Sequence, residues 1–117
     1  MTENIYTSKI RKLIWNAVRT HFKLTNQMTL ATSLKYEPNK SIGQTIAIGL
    51  SNQYGLSRTE VEKLLCIEPS SYDNKLKVFL DTIRNHEKDD DSKNFWHRYR
   101  MCDRYVKRRI EYFVVIS

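Results

Sequence analysis

Apolar residues recur at three- and four-residue spacing through long segments of this chain, the repeat of helices that bury one face. Ile10, Leu13, Ile14, Ala17, Val18 and Phe22 form one such stripe, with Lys9, Arg11, Lys12 and Arg19 around the rest of the turn. They predict a helix from Thr7 to Phe22. Trp15 flanks the stripe and is expected in the core rather than on an exposed stacking platform. From Lys23 to Lys40 the pattern loosens. Thr25-Asn26 are placed to cap a short helix through Leu30, and Pro38 breaks the preceding register, so Lys35 to Lys40 reads as a basic loop.

The stretch from Gln44 to Arg84 predicts three short helices joined by two tight turns. QTIAIGLSNQY is apolar at Ile46, Ala47 and Leu50 and stops at Gly55. SRTEVEKLL opens with Ser57 as N-cap and Glu60 three residues on, a capping box in which each side chain satisfies the other's orphan backbone N–H. A break at Cys66-Ile67-Glu68-Pro69 separates it from SSYDNKLKVFLDTIR, which is expected to be capped by Ser70 or Ser71 and to bury Tyr72, Leu76, Phe79, Leu80 and Ile83. Asp89-Asp90-Asp91 reads as a solvated acidic hinge rather than a metal site. The last helix, from Ser92 to Phe113, turns Phe95, Tyr99, Cys102, Val106, Ile110 and Phe113 to the core. Val114-Val115-Ile116 is apolar, and the pattern leaves open whether it packs on this chain or on another. With three glycines and two prolines in 117 residues there is little room for hairpins. The expected fold is all-α, a single domain built as a compact five- or six-helix bundle.

Charge adds the second part of the picture. The formal net charge is +7, and its distribution is uneven. Residues 9–40 carry Lys9, Arg11, Lys12, Arg19, Lys23, Lys35 and Lys40 against Glu37, a balance of +6. Residues 93–111 carry Lys93, Arg98, Arg100, Arg104, Lys107, Arg108 and Arg109 against Asp103 and Glu111, a balance of +5. The central 41–92 holds six basic and nine acidic side chains, and the helix pair from Ser57 to Asn85 has five of each. A basic chain of this size most often meets a polyanion, usually nucleic acid. Most of the attraction has to come from the flanks of the helix pair. On the last helix Arg100, Arg104, Lys107 and Arg108, with His97 beside them, span about 100° of arc opposite the core stripe. Few acidic residues stand four positions away to pair with them, which favours anion binding over a merely solvated face.

Enzymatic chemistry finds little support. His21, His86 and His97 are scattered, no serine or cysteine sits in a nucleophile motif, and Cys66 and Cys102 match no metal spacing. No cofactor, no metal and no small-molecule substrate are expected. No apolar run approaches the roughly 18 residues of a membrane span, and the N-terminus lacks a signal-peptide core, so the expectation is a cytoplasmic protein with no membrane partner. Tyr99, Tyr105 and Tyr112 fall on a helix whose core stripe already asks for aromatics, so base stacking is not the preferred role.

Two capped helices across a short turn form the pattern in which the second helix can enter a DNA major groove. Any small helical bundle can carry such a pair, so the pattern alone leaves both readings open. From about Ile10 to Ile83 the order of features resembles the C-terminal DNA-binding domain of the bacterial replication initiator DnaA, a helical domain with a Trp-repressor-like helix-turn-helix. Val18-Arg19-Thr20-His21-Phe22 stands where that family ends its opening helix, and Lys35 to Lys40 stands at its basic loop. Gly43-Gln44-Thr45-Ile46-Ala47 takes the place of its Arg-Gln-Ile-Ala-like helix start, and Leu56-Ser57-Arg58-Thr59-Glu60-Val61 matches its Leu-Ser-x-x-Glu-Ile helix. At the head of the recognition helix the family has Arg-Asp-His-[Ser/Thr]-Thr-Val. Here Ile67-Glu68-Pro69-Ser70-Ser71-Tyr72 keeps the hydroxyls and the apolar anchor but not the charged residues. No Gly-rich phosphate loop of the family's ATPase part occurs.

The resemblance implies a non-enzymatic DNA-binding module acting in replication or transcription control, with duplex DNA as partner. Ser70, Ser71 and Asn74 would offer hydrogen bonds to bases or phosphates, and Lys75 and Lys77 phosphate contacts. Lys35 and Lys40 would grip the adjacent backbone, and Arg100, Arg104, Lys107 and Arg108 would extend the footprint. The alternative is a protein-interaction module regulating a replication or transcription protein, which the near-neutral helix pair favours. An RNA-binding bundle is a third reading, permitted by the aromatic and basic last helix.

Overall fold

The computed structural model describes residues 5–24, 30–35 and 40–116, with the side chains at 5, 6, 30, 33 and 111–116 left aside. Its two longest helices, α1 (Ile5–Phe22) and α6 (Asp90–Ile116), make the most extensive helix–helix contact of the fold. They run antiparallel. The Arg98 guanidinium lies over the Phe22 ring at 3.9 Å, and one turn further along α6 the Cys102 thiol reaches the Ala17 carbonyl at 3.8 Å. Between them and the remaining helices, α2 (Leu30–Lys35), α4 (Arg58–Leu65) and α5 (Pro69–Arg84), passes the central helix α3 (Lys40–Gln53). α3 packs against all five others and is buried continuously from Thr45 to Ser51. A helix apolar all round is what such a position demands. Its two buried hydroxyls find partners one turn back, Thr45 on the Ser41 carbonyl and Ser51 on the Ala47 carbonyl, both at 2.6 Å. Among the described residues the architecture is thus an all-α bundle of six helices around one apolar core, and no helix there is long and apolar enough to cross a membrane.

Three helices end in the same way, by backbone geometry that only one of them announces. At the ends of α1, α3 and α4, the N–H of Leu24, Leu56 and Ile67 reaches back five residues to Arg19, Ser51 and Glu62. The N–H of Lys23, Gly55 and Cys66 reaches back three, to Thr20, Asn52 and Lys63. These are Schellman closures, each with a left-handed residue at the pivot: Lys23 (φ 55), Gly55 (φ 75) and Cys66 (φ 55). Gly55 takes that conformation without steric cost, whereas Lys23 and Cys66 are held in it against their Cβ atoms.

The helix starts differ from expectation in instructive ways. Ser57 does occupy the N-cap of α4, in extended backbone, but its side chain makes no capping bond. Glu60, the other half of the expected capping box, instead pairs with Arg11 of α1 at 3.3 Å, so a tertiary partner replaces the local one. α5 is not capped by Ser70 or Ser71. It begins at Pro69, with Glu68 as N-cap, because the proline's missing N–H and fixed φ suit the first helical position. The turn between α4 and α5 is therefore Cys66-Ile67-Glu68, and Ser70 and Ser71 lie inside the first turn. α3 starts at Lys40 rather than Gln44, so Lys40 begins a helix and Lys35 ends one; the rest of that expected basic loop, like Thr25-Asn26, lies outside the described residues. The expected acidic hinge is a helix start: the Asp89 carboxylate accepts the Ser92 N–H at 2.7 Å, and Asp90 and Asp91 fill the first turn of α6. α6 also runs on through Val114-Val115-Ile116.

The core stripes of α1 and α6 bury as read, Trp15 included, with Ile110 half-buried and Phe113 among the side chains left aside. On α5, Tyr72 and Phe79 are buried and Leu76 and Ile83 half-buried, but Leu80 is 42% exposed, because only a narrow stripe of α5 meets α3 and α6. Phe79 is the centre of that contact. Its ring meets Phe95 and Tyr99 edge-on, at 6.1 and 5.1 Å between centroids, and rests on the bare backbone of Gly49. A Cβ at position 49 would run into the ring. Alanine gains about 1 kcal/mol of helix propensity over glycine, but overpacking a core costs about 1–3 kcal/mol. The obstruction is a ring held between Phe95 and Tyr99 rather than the end of a flexible side chain, which puts the cost in the upper part of that range. Gly49→Ala is therefore expected to be a net loss of about 1–2 kcal/mol, read as a lowered melting temperature.

Candidate nucleic-acid interface

The α4–α5 pair is fastened at its outer edge by Arg58, a residue to which the sequence reading assigned no role. Its guanidinium donates to the Asp73 carboxylate at 2.6 Å and to the Pro69 carbonyl at 2.9 Å, and its Nε lies 3.6 Å from Glu62. It also sits over the Tyr72 ring at 4.8 Å. The bond from Arg58 holds the Asp73 carboxyl below the ordinary carboxylate range, and the same bond strengthens the hold of Arg58 on its own proton. One side chain thereby ties the first residue of α4 to the opening turns of α5, across a turn whose own hydrogen bonds are all local.

Around this turn the fold gathers lysines from three helices. Lys35, at the end of α2, and Lys40 and Gln44, on α3, line a shallow groove with Leu65 and Cys66. Lys75 of α5 donates to the Ser41 hydroxyl at 3.3 Å. Its ammonium is pushed below the usual lysine range by burial and then by the charge of Lys40. Like charges held together in this way lose free energy that a bound anion returns. Along the outside of α5, Ser70, Asn74 and Lys77 are exposed, and Ser71 is half-buried. The same outer surface carries Asp73, Asp81 and two exposed apolar side chains, Val78 (53% exposed) and Leu80.

The basic side chains of α6 form a second group. Arg100, Arg104, Lys107 and Arg108 are all exposed and border one shallow depression with Asp103. Asp103, 8% exposed, is the centre of a polar cluster that sequence inspection missed. It accepts hydrogen bonds from Gln53 at 3.0 Å and the Tyr54 hydroxyl at 2.7 Å, and Tyr99 in turn donates to Gln53 at 2.7 Å. Burial and the Asp103 carboxylate raise the Tyr54 hydroxyl far above the tyrosine range, so it remains a donor. Lys107 lies 3.1 Å from the second Asp103 oxygen. The stripe is expected to have few acidic partners four residues away, and Asp103 is one of those few, so the charge of Lys107 is already engaged. Arg100 leans over the Trp96 ring at 5.9 Å, and Trp96 stacks on His86 at 4.2 Å.

The eleven residues read as one footprint therefore fall in two places. Lys40 and the Ser41 that Lys75 contacts open α3, while Asp103 and the α6 cluster meet Gln53, which ends it. Thirteen helical steps separate the two by about 20 Å. Of the other polar groups, His21 comes close enough to Arg98 and His97 for their charges, after burial, to lower its affinity for a proton. Cys102 is buried, with its thiol pushed up to about 12, the profile of a structural rather than a reactive cysteine. Tyr99 is buried, Tyr105 lies under the Arg109 guanidinium at 3.5 Å, and Tyr112 is among the side chains left aside. Among the described residues no His, Cys, Asp or Glu side chains cluster to hold a metal ion. Comparison of the chain with protein-family models, with curated proteins and with solved structures finds no match, so the likeness to the initiator domain rests on the residues named above.

Proposed function

We propose that this chain is a non-enzymatic DNA-binding module, with α4 and α5 as its helix-turn-helix and a role in replication or transcription control within the cytoplasm. The observation that carries the reading is the convergence of Lys35, Lys40 and Lys75 on the turn between those helices. Three cations from separate helices, one of them destabilised by burial and then by its neighbour, form a place for backbone phosphates beside the opening of α5. Ser70, Ser71 and Asn74 then stand at the end of α5 that would meet base edges, and the Arg58 fastening keeps the helix at a fixed angle to α4.

A second reading, a protein-interaction module that regulates a replication or transcription protein, is favoured by one specific observation. The outward surface of α5 carries Val78 and Leu80 in the open beside Asp73 and Asp81, a surface less suited to phosphate than to protein. Selection from a random duplex pool separates the two. In a groove-entering α5, Ser71→Ala and Asn74→Ala shift sequence preference by about 1–3 kcal/mol per lost base contact. Lys75→Ala weakens all sequences alike and flattens the salt dependence by about one unit. Base edges differ along the duplex while phosphates repeat, which is the source of the asymmetry. A wild-type chain that enriches no sequence, and loses affinity only at its lysines and arginines, would leave α5 to a protein partner.

A further inference from the structure

We infer that the module holds two DNA duplex segments at once, one at each end of α3, an inference that rests on the DNA reading above. The first site is the Lys35, Lys40 and Lys75 group at the N-terminal end of α3. The second is the exposed face of α6, where Arg100, Arg104 and Arg108 stand around the depression beside Asp103 at the C-terminal end of α3. Three observations make these separate sites rather than the two ends of one.

The first is distance. About 20 Å of helix lies between them, and charges in physiological salt are screened over about 8 Å. Neither group senses the phosphates bound at the other. The second is what lies between. α3 is buried from Thr45 to Ser51 and offers no cationic path, and the outward surface of α5, beyond Lys77, interposes Asp73, Asp81, Val78 and Leu80. The third is direction. α6 turns Phe95, Tyr99, Cys102 and Val106 inward to the core, so Arg100, Arg104 and Arg108 stand on its exposed side, away from the bundle, while Arg98 packs on Phe22. One duplex touching both groups would have to curve around the body of the protein, and bending a site by 40–90° costs of order 1–6 kcal/mol. Two duplexes, one on each end, need no bend.

The test uses the full chain, one short duplex fixed to beads and the same duplex carrying a fluorophore in solution, at low salt. Wild type is expected to bind the fixed duplex and to capture the labelled one. A Lys35→Ala, Lys40→Ala, Lys75→Ala variant and an Arg100→Ala, Arg104→Ala, Arg108→Ala variant should each bind the fixed duplex and capture none. A mixture of the two variants should also capture none. Capture by either variant, or by the mixture, would mean that two copies of the chain bridge through one site each, and would overturn the inference. Wild type that binds the fixed duplex without capturing the second would overturn it while leaving the DNA reading intact, and no binding to any duplex would remove both. Should a variant lose its helical circular dichroism, sedimentation of wild type in excess duplex decides alone. One chain carrying two duplexes supports the inference, and one carrying a single duplex overturns it.

Discussion

Phe79→Ala is expected to remove about 3–5 kcal/mol of stability, a large part of what a domain of this size has. The ring is 2% exposed and fills a space with three walls: the backbone of Gly49, the Phe95 ring and the Tyr99 ring. All three walls belong to two helices fixed elsewhere, α3 by every other helix and α6 by α1, so the cavity cannot close by a small shift. The loss includes the apolar area, the empty volume and two edge-on aromatic contacts. Asn74→Ala, on the exposed side of the same helix, should move stability by no more than about 0.5 kcal/mol. Thermal melts of the pair test the rotational phase of α5. A melting temperature lowered more by Asn74→Ala than by Phe79→Ala would mean that the groove-facing residues have been assigned to the wrong side.

The second large effect concerns salt. Lys35, Lys40, Lys75 and Lys77 are the four cations that the proposal assigns to a duplex at the α4–α5 turn. Four phosphate contacts give a logarithmic slope of about −3.6, so a fourfold rise in salt from about 50 mM should weaken binding by about 150-fold. Had Arg100, Arg104 and Arg108 shared the same duplex, seven contacts would give a slope of about −6.3 and a loss of about 6,000-fold. Fluorescence anisotropy across a salt series distinguishes these values. The shallower slope is the expected result, because the two groups sit at opposite ends of α3. Absence of binding at about 50 mM salt would take nucleic acid out of the reading.

How far the sequence foretold the molecule depends on how local each cause is. α1, α5 and α6 were legible because their buried stripes repeat within the helix itself, and Trp15 followed from its place beside such a stripe. Gly55 was legible as a stop because glycine signals a left-handed pivot. Lys23 and Cys66 perform the same closure without any such signal, since their conformation is imposed by the packing that follows. The capping box failed because Glu60 found Arg11, a residue 49 positions away. Pro69 was read as the end of a break when its chemistry equally suits a helix start. Asp103 was counted as one stray acid, and its partners Gln53 and Tyr54 lie 50 and 49 positions distant. The candidate interface suffered most from this. Charge tallies picked out basic residues that, Lys75 apart, are exposed, but position along the chain says nothing about which end of α3 each will occupy.

The seat of Phe79 on Gly49 also bears on how this chain can change over generations. Each of the two positions is permissible only in view of the other: a bare backbone without a ring above it leaves a void, and a ring above a side chain does not fit. Drift at one site is therefore conditional on drift at the other. Related chains should show the two positions changing together, with alanine or serine at 49 accompanied by a smaller, flexible leucine or methionine at 79. Within one lineage the order of events matters as well. Adding a methyl at 49 first overpacks the core by less than truncating the ring to alanine empties it, so the change at 49 is the smaller first loss and a slimmer side chain at 79 then relieves it.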